Sequence, residues 1–347
     1  MKPLRVGQIG ISHEHAAGKM NTLRLLPDVF EVVGVVDDRA SRAARFAGDD
    51  LKPYAGLNWM TEAELLGTPG LDAVLVETPN ADLVPTALRV MERNLPMHMD
   101  KPGGERLEPF LRLIEGCRER DLPFQMGYMF RGNPAMQFCL QAVREGWLGE
   151  VFEVQGSMSH NYGGEAYQAY LGQFQGGILF NLGCHLLDFF VALLGRPRQV
   201  HAIPQSVGGV PETVRNSALA ILEYPRATAT IRACSLEVGG CGSRRLKICG
   251  TRGTIDFCPI ERFDGRPLEI ELTLSHDTAA YAAGRHVVSF GVIRDRYEAQ
   301  LTELAQILRG ERPNPRAYAH DARVQELLVN LCAAGVEQRC VQCRTRV

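Results

Sequence analysis

Residues 4–15 read LRVGQIGISHEH, and this stretch decides the fold of the first part of the chain. The apolar segment from Leu4 to Ile9 has the length of one buried strand, and Gly10 follows it directly. A helical pattern over residues 14–26 comes next, and a second apolar strand covers residues 30–36. A strand, a glycine turn, a helix and another strand are typical of a βαβ unit with parallel strands.

The same alternation continues to residue 128. Strand patterns cover residues 71–76, 96–99 and 123–128, and helical patterns cover residues 40–47, 84–93 and 107–119. About six strand and helix pairs of this kind predict a doubly wound, parallel Rossmann sheet. We therefore expect an α/β Rossmann domain over residues 1–125.

The order of predicted elements changes after Arg131, where strand patterns follow one another with few helices between them. A helix is predicted over residues 134–145, and strands over residues 150–159, 199–204, 217–223, 227–234, 245–248 and 268–274. Two amphipathic helices, over residues 294–308 and 320–335, end the pattern. Residues 126–347 are therefore expected to form an α+β domain with a large, mostly antiparallel open sheet.

Composition excludes several classes of protein. Lysine and arginine (38) nearly balance aspartate and glutamate (40) over 347 residues, so a nucleic-acid surface is not indicated. No secretory signal or membrane-spanning run is visible, and we expect a soluble, cytoplasmic protein without a membrane partner. Ten cysteines then indicate reduced thiols, and the CxxC spacing of Cys340 and Cys343 favours a chain tail over a zinc or redox site.

The loop after the first strand only partly matches the dinucleotide fingerprint GxGxxG. Gly10 occupies the first glycine position, and Ser12 and His15 occupy the other two. Ser12 is small enough to let a pyrophosphate approach the helix N-terminus, and its hydroxyl can donate to that group. His13 and His15 flank Glu14, but alternate residues of one loop rarely converge on one ion, so no metal site is predicted.

Two carboxylates, Asp37 and Asp38, end the second strand. A carboxylate at this position accepts hydrogen bonds from the adenosine ribose, and it repels a 2′-phosphate. We therefore predict that Asp37 binds the ribose and that the cofactor is NAD, with NADP disfavoured. The alternative is a solvated turn at the strand end.

Three spaced motifs carry a resemblance to a known family. Thr78-Pro79-Asn80 follows one strand, Asp100-Lys101-Pro102 follows the next, and residues 176–188 read GGILFNLGCHLLD. The sequence resembles the Gfo/Idh/MocA family of glucose-fructose oxidoreductases and inositol dehydrogenases, whose corresponding patterns are TPN, EKP and GGxLxDxGxHxxD. The glutamate of EKP is here Asp100. The resemblance places Thr78, Asn80 and Asp100 at the cofactor.

The resemblance also implies catalytic roles for Lys101 and His185. An ammonium at the carboxyl edge of a parallel strand can orient an alcohol and stabilise a developing alkoxide. Asp188 follows His185 by three residues on the same helix, so it can orient the imidazole. Arg131 and His160 are predicted substrate contacts, with a surface strand end as the alternative for His160.

Asn181 departs from the family pattern, which usually carries aspartate there. Asparagine forms hydrogen bonds but cannot accept a proton. We expect Asn181 to contact substrate, and any alcohol proton to leave through His185, Lys101 or water.

These features predict an NAD-dependent oxidoreductase that transfers hydride between nicotinamide and a secondary alcohol of a sugar or cyclitol. Two alternatives stay open: an NAD-dependent glycosidase that oxidises its sugar transiently, and a non-catalytic NAD or sugar sensor. The resemblance further implies a homodimer or homotetramer joined through the open sheet face, which light scattering would test.

Overall fold

The computed structural model describes residues 2–38, 51–316 and 318–337. The helix predicted over residues 40–47 and the Cys340 and Cys343 pair lie outside the described residues. The described residues form two compact units: unit 1 falls within residues 1–132 and 295–325, and unit 2 falls within residues 133–294 and 326–347. Among the described residues, no helix combines the length and apolarity that a bilayer crossing requires.

Unit 1 contains a six-stranded sheet. In chain order its described elements are β1 (Leu4–Ile9), α1 (Ala16–Leu25), β2 (Phe30–Val36), β3 (Trp59–Met60), α2 (Glu62–Leu66), β4 (Ala73–Val76), α3 (Leu83–Glu92), β5 (Met97–Met99), α4 (Leu107–Glu119) and β6 (Phe124–Met126). The strand order is β3-β2-β1-β4-β5-β6, and every pairing is parallel. This arrangement confirms the predicted doubly wound fold. Sheets of this order bind ligands beyond the carboxyl ends of the strands, at the reversal between β1 and β4.

Unit 2 is built around an eight-stranded sheet. Its elements are α5 (Pro134–Arg144), β7 (Val151–Ser159), α6 (Glu165–Leu171), α7 (Cys184–Leu194), β8 (Gln199–Gln205), β9 (Ser217–Glu223), β10 (Thr228–Cys234), β11 (Arg245–Gly250), β12 (Gly253–Phe257), β13 (Glu269–Leu274) and β14 (Gly284–Ser289). The strand order is β14-β13-β12-β11-β7-β10-β9-β8. Only β7 and β10 pair in parallel among these described strands, which confirms the predicted mostly antiparallel sheet.

One face of this sheet packs against α7. A Cβ at Gly156 of β7 would lie 2.8 Å from a methyl carbon of Leu186, so the glycine lets the helix approach the strand closely. The strands alternate between buried and exposed residues, as expected when one face covers a core. Ile203, Leu219 and Val287 are exposed. The predicted homo-oligomer stays a prediction.

Two helices, α8 (Glu298–Leu308) and α9 (Tyr318–Glu337), follow the large sheet. The segment from Asp295 to Gln325 belongs to unit 1, although the division made from the sequence assigns it to the second domain. The physical reason is apolar packing: Tyr297, Leu301 and Leu304 lie in the same buried cluster as Val6 and Met20. The chain leaves unit 1 after Gly132, seven residues beyond the boundary predicted at residue 125.

Candidate active site

The loop between β1 and α1 passes very close to the end of β4. Gly10 has a φ of 95°, and a Cβ on it would lie 2.5 Å from the backbone nitrogen of Thr78. A side chain at position 10 is therefore excluded both by the left-handed backbone and by lack of space. This approach brings the carboxyl ends of β1 and β4 together at the reversal of the sheet.

The end of β2 is tied to the same loop through Asp38. Asp38 Oδ1 accepts a hydrogen bond from the backbone N–H of Ile11 at 2.9 Å and from Ser12 Oγ at 2.7 Å. The hydroxyl of Ser12 thus already donates within the protein. Asp37, the predicted ribose ligand, is half-buried at the neighbouring position.

His13 and His15 both contact Asp100, which follows β5. His13 Nδ1 lies 3.2 Å from Asp100 Oδ2, and His15 Nδ1 lies 3.0 Å from the same oxygen. Both rings of this loop therefore converge on one carboxylate, and the expectation that no metal binds here stays a prediction. His13 Nε2 also lies 3.0 Å from Asn80 Oδ1, which links the loop to the turn after β4.

Lys19 was not singled out from the sequence, yet it lies at the centre of this region. Its Nζ donates to Asp100 Oδ2 at 2.6 Å and to Glu77 Oε1 at 2.7 Å, and all three side chains are fully buried. We name His13, His15, Lys19, Glu77 and Asp100 the Asp100 cluster. It joins α1 to the carboxyl ends of β4 and β5.

Charges in the Asp100 cluster compensate one another. Burial would lower the pKa of Lys19, but the carboxylates of Asp100 and Glu77 outweigh it and raise that pKa. Burial would raise the pKa of Asp100, but His13 and the Lys19 ammonium hold it well below its usual range. Burial, with repulsion from Asp100, raises the pKa of Glu77 well above its usual range. The Lys19 ammonium thus offsets carboxylate charge that burial alone would disfavour in this cluster.

Lys101 is buried immediately after Asp100. Its backbone N–H donates to Asp100 Oδ1 at 2.6 Å, so the carboxylate that Lys19 holds also fixes the start of this turn. Lys101 Nζ lies 3.6 Å from Glu14 Oε1. The ammonium of Lys101 is thus buried at the carboxyl edge of the sheet, near a partly exposed carboxylate.

These residues fit a dinucleotide. Gly10 puts no side chain at the turn after β1, so a pyrophosphate can approach the N-terminus of the following helix closely. Thr78 Oγ1 is buried and, within the described residues, has no hydrogen-bond partner. A buried hydroxyl of this kind, at the carboxyl end of β4, is suited to a polar group of a bound molecule.

Arg131 has a structural partner in unit 1. Its guanidinium forms a buried ion pair with Asp321, and it lies 4.9 Å from the centre of the Tyr128 ring. The sequence-based assignment of Arg131 to substrate stays a prediction.

Unit 2 contains the other predicted site residues. Asn181 lies in a π-helical turn, Leu179–Gly183, directly before α7, and π turns inside helices are frequent at functional sites. His185 and Asp188 lie in the first two turns of α7, and both are buried. His160 follows β7 and is stacked on Tyr162, with 3.9 Å between the ring centres.

Comparison with known proteins agrees with this architecture. Residues 136–256 match the family model described as the GFO/IDH/MocA C-terminal domain. The chain is similar to the Gfo/Idh/MocA family over this range. This confirms the resemblance drawn from the three sequence motifs.

Two relatives illustrate the range of sequence similarity. The chain is 23% identical to D-xylose 1-dehydrogenase [NADP(+)] of Haloarcula marismortui over 341 residues, which cover 87% of this chain and 92% of that protein. It is 27% identical to inositol 2-dehydrogenase of Corynebacterium glutamicum over 168 residues, 48% of each chain.

Solved structures share the fold across nearly the whole chain. An NAD binding oxidoreductase from Klebsiella pneumoniae superimposes with a TM-score of 0.82 at 18% identity, covering 98% of each chain. Levoglucosan dehydrogenase in complex with NADH and L-sorbose gives a TM-score of 0.81 at 15% identity, covering 97% of this chain and 98% of that one.

The buried histidine His98 makes unit 1 sensitive to acid. His98 Nδ1 lies 2.8 Å from Gln125 Oε1, and Nε2 has no hydrogen-bond partner within the described residues. Burial, reinforced by the Lys19 ammonium, lowers the pKa of His98 to about 3. The unfolded chain, with a histidine pKa of about 6.5, therefore binds one more proton than the folded chain between about pH 6.5 and pH 3.

The contribution of neutral His98 to the free energy of unfolding is thus fully present above pH 6.5. It falls by about 1.4 kcal/mol per pH unit as the pH decreases toward 3. His98→Asn keeps a donor for Gln125. Between pH 7 and pH 5 we expect the free energy of unfolding of this variant to fall by about 2 kcal/mol less than that of the native chain. Urea unfolding at both pH values measures the difference. Equal losses in the two proteins would contradict the assignment.

Proposed function

We propose that this protein is an NAD-dependent oxidoreductase that acts on a secondary alcohol of a sugar or cyclitol. One observation carries the proposal: the residues after β1, β4 and β5 meet at the reversal of the unit 1 sheet, with Gly10 against Thr78 and with Lys101 buried beside the Asp100 cluster. This is the position at which doubly wound sheets bind dinucleotides.

Gly10, Thr78 and Asn80, with a carboxylate at the end of β2, are the residues proposed to hold NAD. When bound, NAD supplies the hydride acceptor. Lys101 is proposed to orient the alcohol and to stabilise negative charge on its oxygen. His185 in unit 2 is proposed to assist the transfer of the alcohol proton, as the family motif implies.

The proposed substrate class is supported by unit 2 and by the relatives. His160, Asn181 and the exposed ring of Tyr162 are polar and aromatic groups that suit hydroxyl-rich molecules. The relatives named for D-xylose and inositol act on such molecules, and levoglucosan dehydrogenase binds L-sorbose.

The direct test is NADH formation from NAD with a panel of cyclitols, aldoses and anhydrosugars, with NAD binding measured by calorimetry in parallel. Turnover on any member of the panel supports the proposal. Tight NAD binding without net turnover on the whole panel would move the assignment to a glycosidase or a sensor. Absence of NAD binding would overturn the proposal at its first step.

The carboxylate that contacts the ribose can be identified with a matched pair of variants. Asp38 contacts the glycine loop, so we expect Asp38→Asn to weaken NAD binding about 10- to 100-fold, the range for a hydrogen bond to a charged group. NADP binding should weaken less, because the charge that repels a 2′-phosphate is removed. Asp37→Asn is the control and should change the Kd for NAD less than about twofold. The reverse order of effects would favour Asp37, as predicted from the sequence.

A further inference from the structure

A hydrogen-bonded group of aromatic and polar side chains lies in unit 2, where β7, α6 and the π turn come together. It consists of His160, Tyr162, Tyr167, Tyr170 and Asn181, and we name it the Tyr167 cluster. α6 presents its two tyrosines three residues apart, which places them on the same side of the helix. Tyr170 is buried and Tyr167 is half-buried.

The phenol oxygen of Tyr167 is at the centre of this cluster. Asn181 Nδ2 donates to it at 3.0 Å, and His160 Nε2 lies 3.0 Å from it. The hydroxyl of Tyr170 donates to Asn181 Oδ1 at 3.2 Å, which orients the amide so that its NH₂ group faces Tyr167. The asparagine therefore acts as a donor toward the phenol.

The second nitrogen of His160 determines where its proton lies. The backbone N–H of Tyr162 donates to His160 Nδ1 at 3.2 Å. A neutral imidazole carries one N–H, so the proton is on Nε2 and is donated to Tyr167. The phenol oxygen thus receives two hydrogen bonds. Hydrogen bonds received by the oxygen stabilise the phenolate relative to the phenol.

The backbone fixes the position of the ring that donates this proton. The N–H of His160 donates to Cys234 O at 3.0 Å, and its carbonyl accepts from the N–H of Glu237 at 3.1 Å. The imidazole is also stacked on the Tyr162 ring, with 19° between the planes. The rings of three titratable side chains, His160, Tyr162 and Tyr170, contact Tyr167.

We propose that Tyr167 is a proton acceptor and donor for the substrate alcohol, held in this role by Asn181 and His160. The inference rests on the proposed function. In the oxidative direction, the hydroxyl proton of the alcohol passes to the phenolate oxygen of Tyr167 and forms the phenol. The carbon–hydrogen bond of the same carbinol breaks, its hydride goes to NAD, and a ketone and NADH result.

The departure at position 181 then has a physical reason. A carboxylate in place of Asn181 would present negative oxygens to the phenol oxygen and would disfavour the phenolate. The amide of asparagine donates a hydrogen bond and favours it. Tyr167 can therefore exchange a proton, whereas its neighbour Asn181 cannot.

A pair of tyrosine variants tests the proposal. Tyr167→Phe is expected to lower kcat about 100-fold or more, the range for loss of a general acid or base, with an unchanged Kd for NAD. Tyr170→Phe removes a hydroxyl from the same helix without removing the proton acceptor, and it should lower kcat less than about tenfold. Equal effects of the two variants, or a Tyr167→Phe enzyme with native kcat, would overturn the proposal.

The pH dependence supplies a second readout. Asn181→Asp is expected to move the midpoint of the rise in kcat with pH upward by one unit or more, since the phenolate is then disfavoured. An unmoved midpoint would contradict the proposal. This variant also keeps the test decisive if Tyr167→Phe does not fold.

A titration of the protein without cofactor or substrate separates this inference from the proposed function. The tyrosinate absorbance of the native chain minus that of Tyr167→Phe should show one phenol that ionises below pH 10, the usual range of tyrosine. Ionisation at or above pH 10 would overturn the role of Tyr167 even if the enzyme turns over. Failure of the whole substrate panel, with this low titration present, would overturn the proposed function and leave the activated phenol established.

Discussion

Replacing Lys101 with methionine is expected to lower kcat by a factor of about 10² to 10⁴, the range for loss of a positioned proton-transfer group. The ammonium is buried at the end of β5, and its removal takes away a positive charge that can stabilise negative charge on the alcohol oxygen. Methionine keeps the length and apolar volume of the side chain. The loss should therefore appear in kcat, and the Kd for NAD should change less than about tenfold.

Two controls separate chemistry from charge. Glu14→Gln removes the carboxylate that lies 3.6 Å from Lys101 Nζ and leaves the lysine in place. Because Glu14 is partly exposed, we expect its loss to change kcat less than about fivefold. Lys52→Met removes an exposed lysine from unit 1 and should have no effect. A Lys101→Met enzyme with native kcat would remove this residue from the mechanism.

Lys19→Met is expected to be the most destabilising of these substitutions. Lys19 forms buried ion pairs with Asp100 and Glu77, and removing one partner of such a group typically costs about 3–5 kcal/mol. Domains of this size lose about 2–4 °C of Tm per kcal/mol, so a decrease of about 6–20 °C is expected for unit 1. Thermal unfolding followed by circular dichroism measures this decrease.

The double variant Lys19→Met with Asp100→Asn tests the physical reason. If an uncompensated buried carboxylate causes the loss, neutralising Asp100 should recover at least about 1 kcal/mol. Lys52→Met again supplies the control for replacing a lysine with methionine at the surface. A double variant less stable than Lys19→Met would show that packing of the lysine stem, and not its charge, stabilises α1 against the sheet.

Most of the fold was predictable because its main elements are long and periodic. The bounds of β1, β2 and α4 were predicted to the residue, since apolar alternation and helical spacing are strong in these segments. β3 has only two residues and α6 only seven, and neither is long enough to produce a recognisable period. α8 belongs to unit 1 because it covers an apolar surface of that unit. The residues of the helix itself do not indicate which apolar surface it covers.

The candidate site was predictable where one motif contained it. Lys101 and Thr78 were found from short motifs at strand ends. Lys19 was missed because a lysine on a helix normally indicates a surface position, and its carboxylate partners lie 58 and 81 residues away. The sequence did contain one indication, because Lys19 falls at the helical spacing of the apolar, buried residues of α1. Tyr167 was missed for a similar reason, since its partners follow β7 and precede α7.

Unit 1 is completed by residues that follow the first segment of unit 2 in the chain. Its core includes Tyr297, directly before α8, and Leu301 and Leu304 of α8. The 162 residues from 133 to 294 are synthesised between the two parts of unit 1. At about 5–20 residues per second, a ribosome needs roughly 8–30 s to synthesise that interval. During this time the nascent β1 and α1 expose the apolar surface that α8 later covers. The protein is therefore expected to depend on chaperones during its synthesis more than a chain whose first domain is continuous.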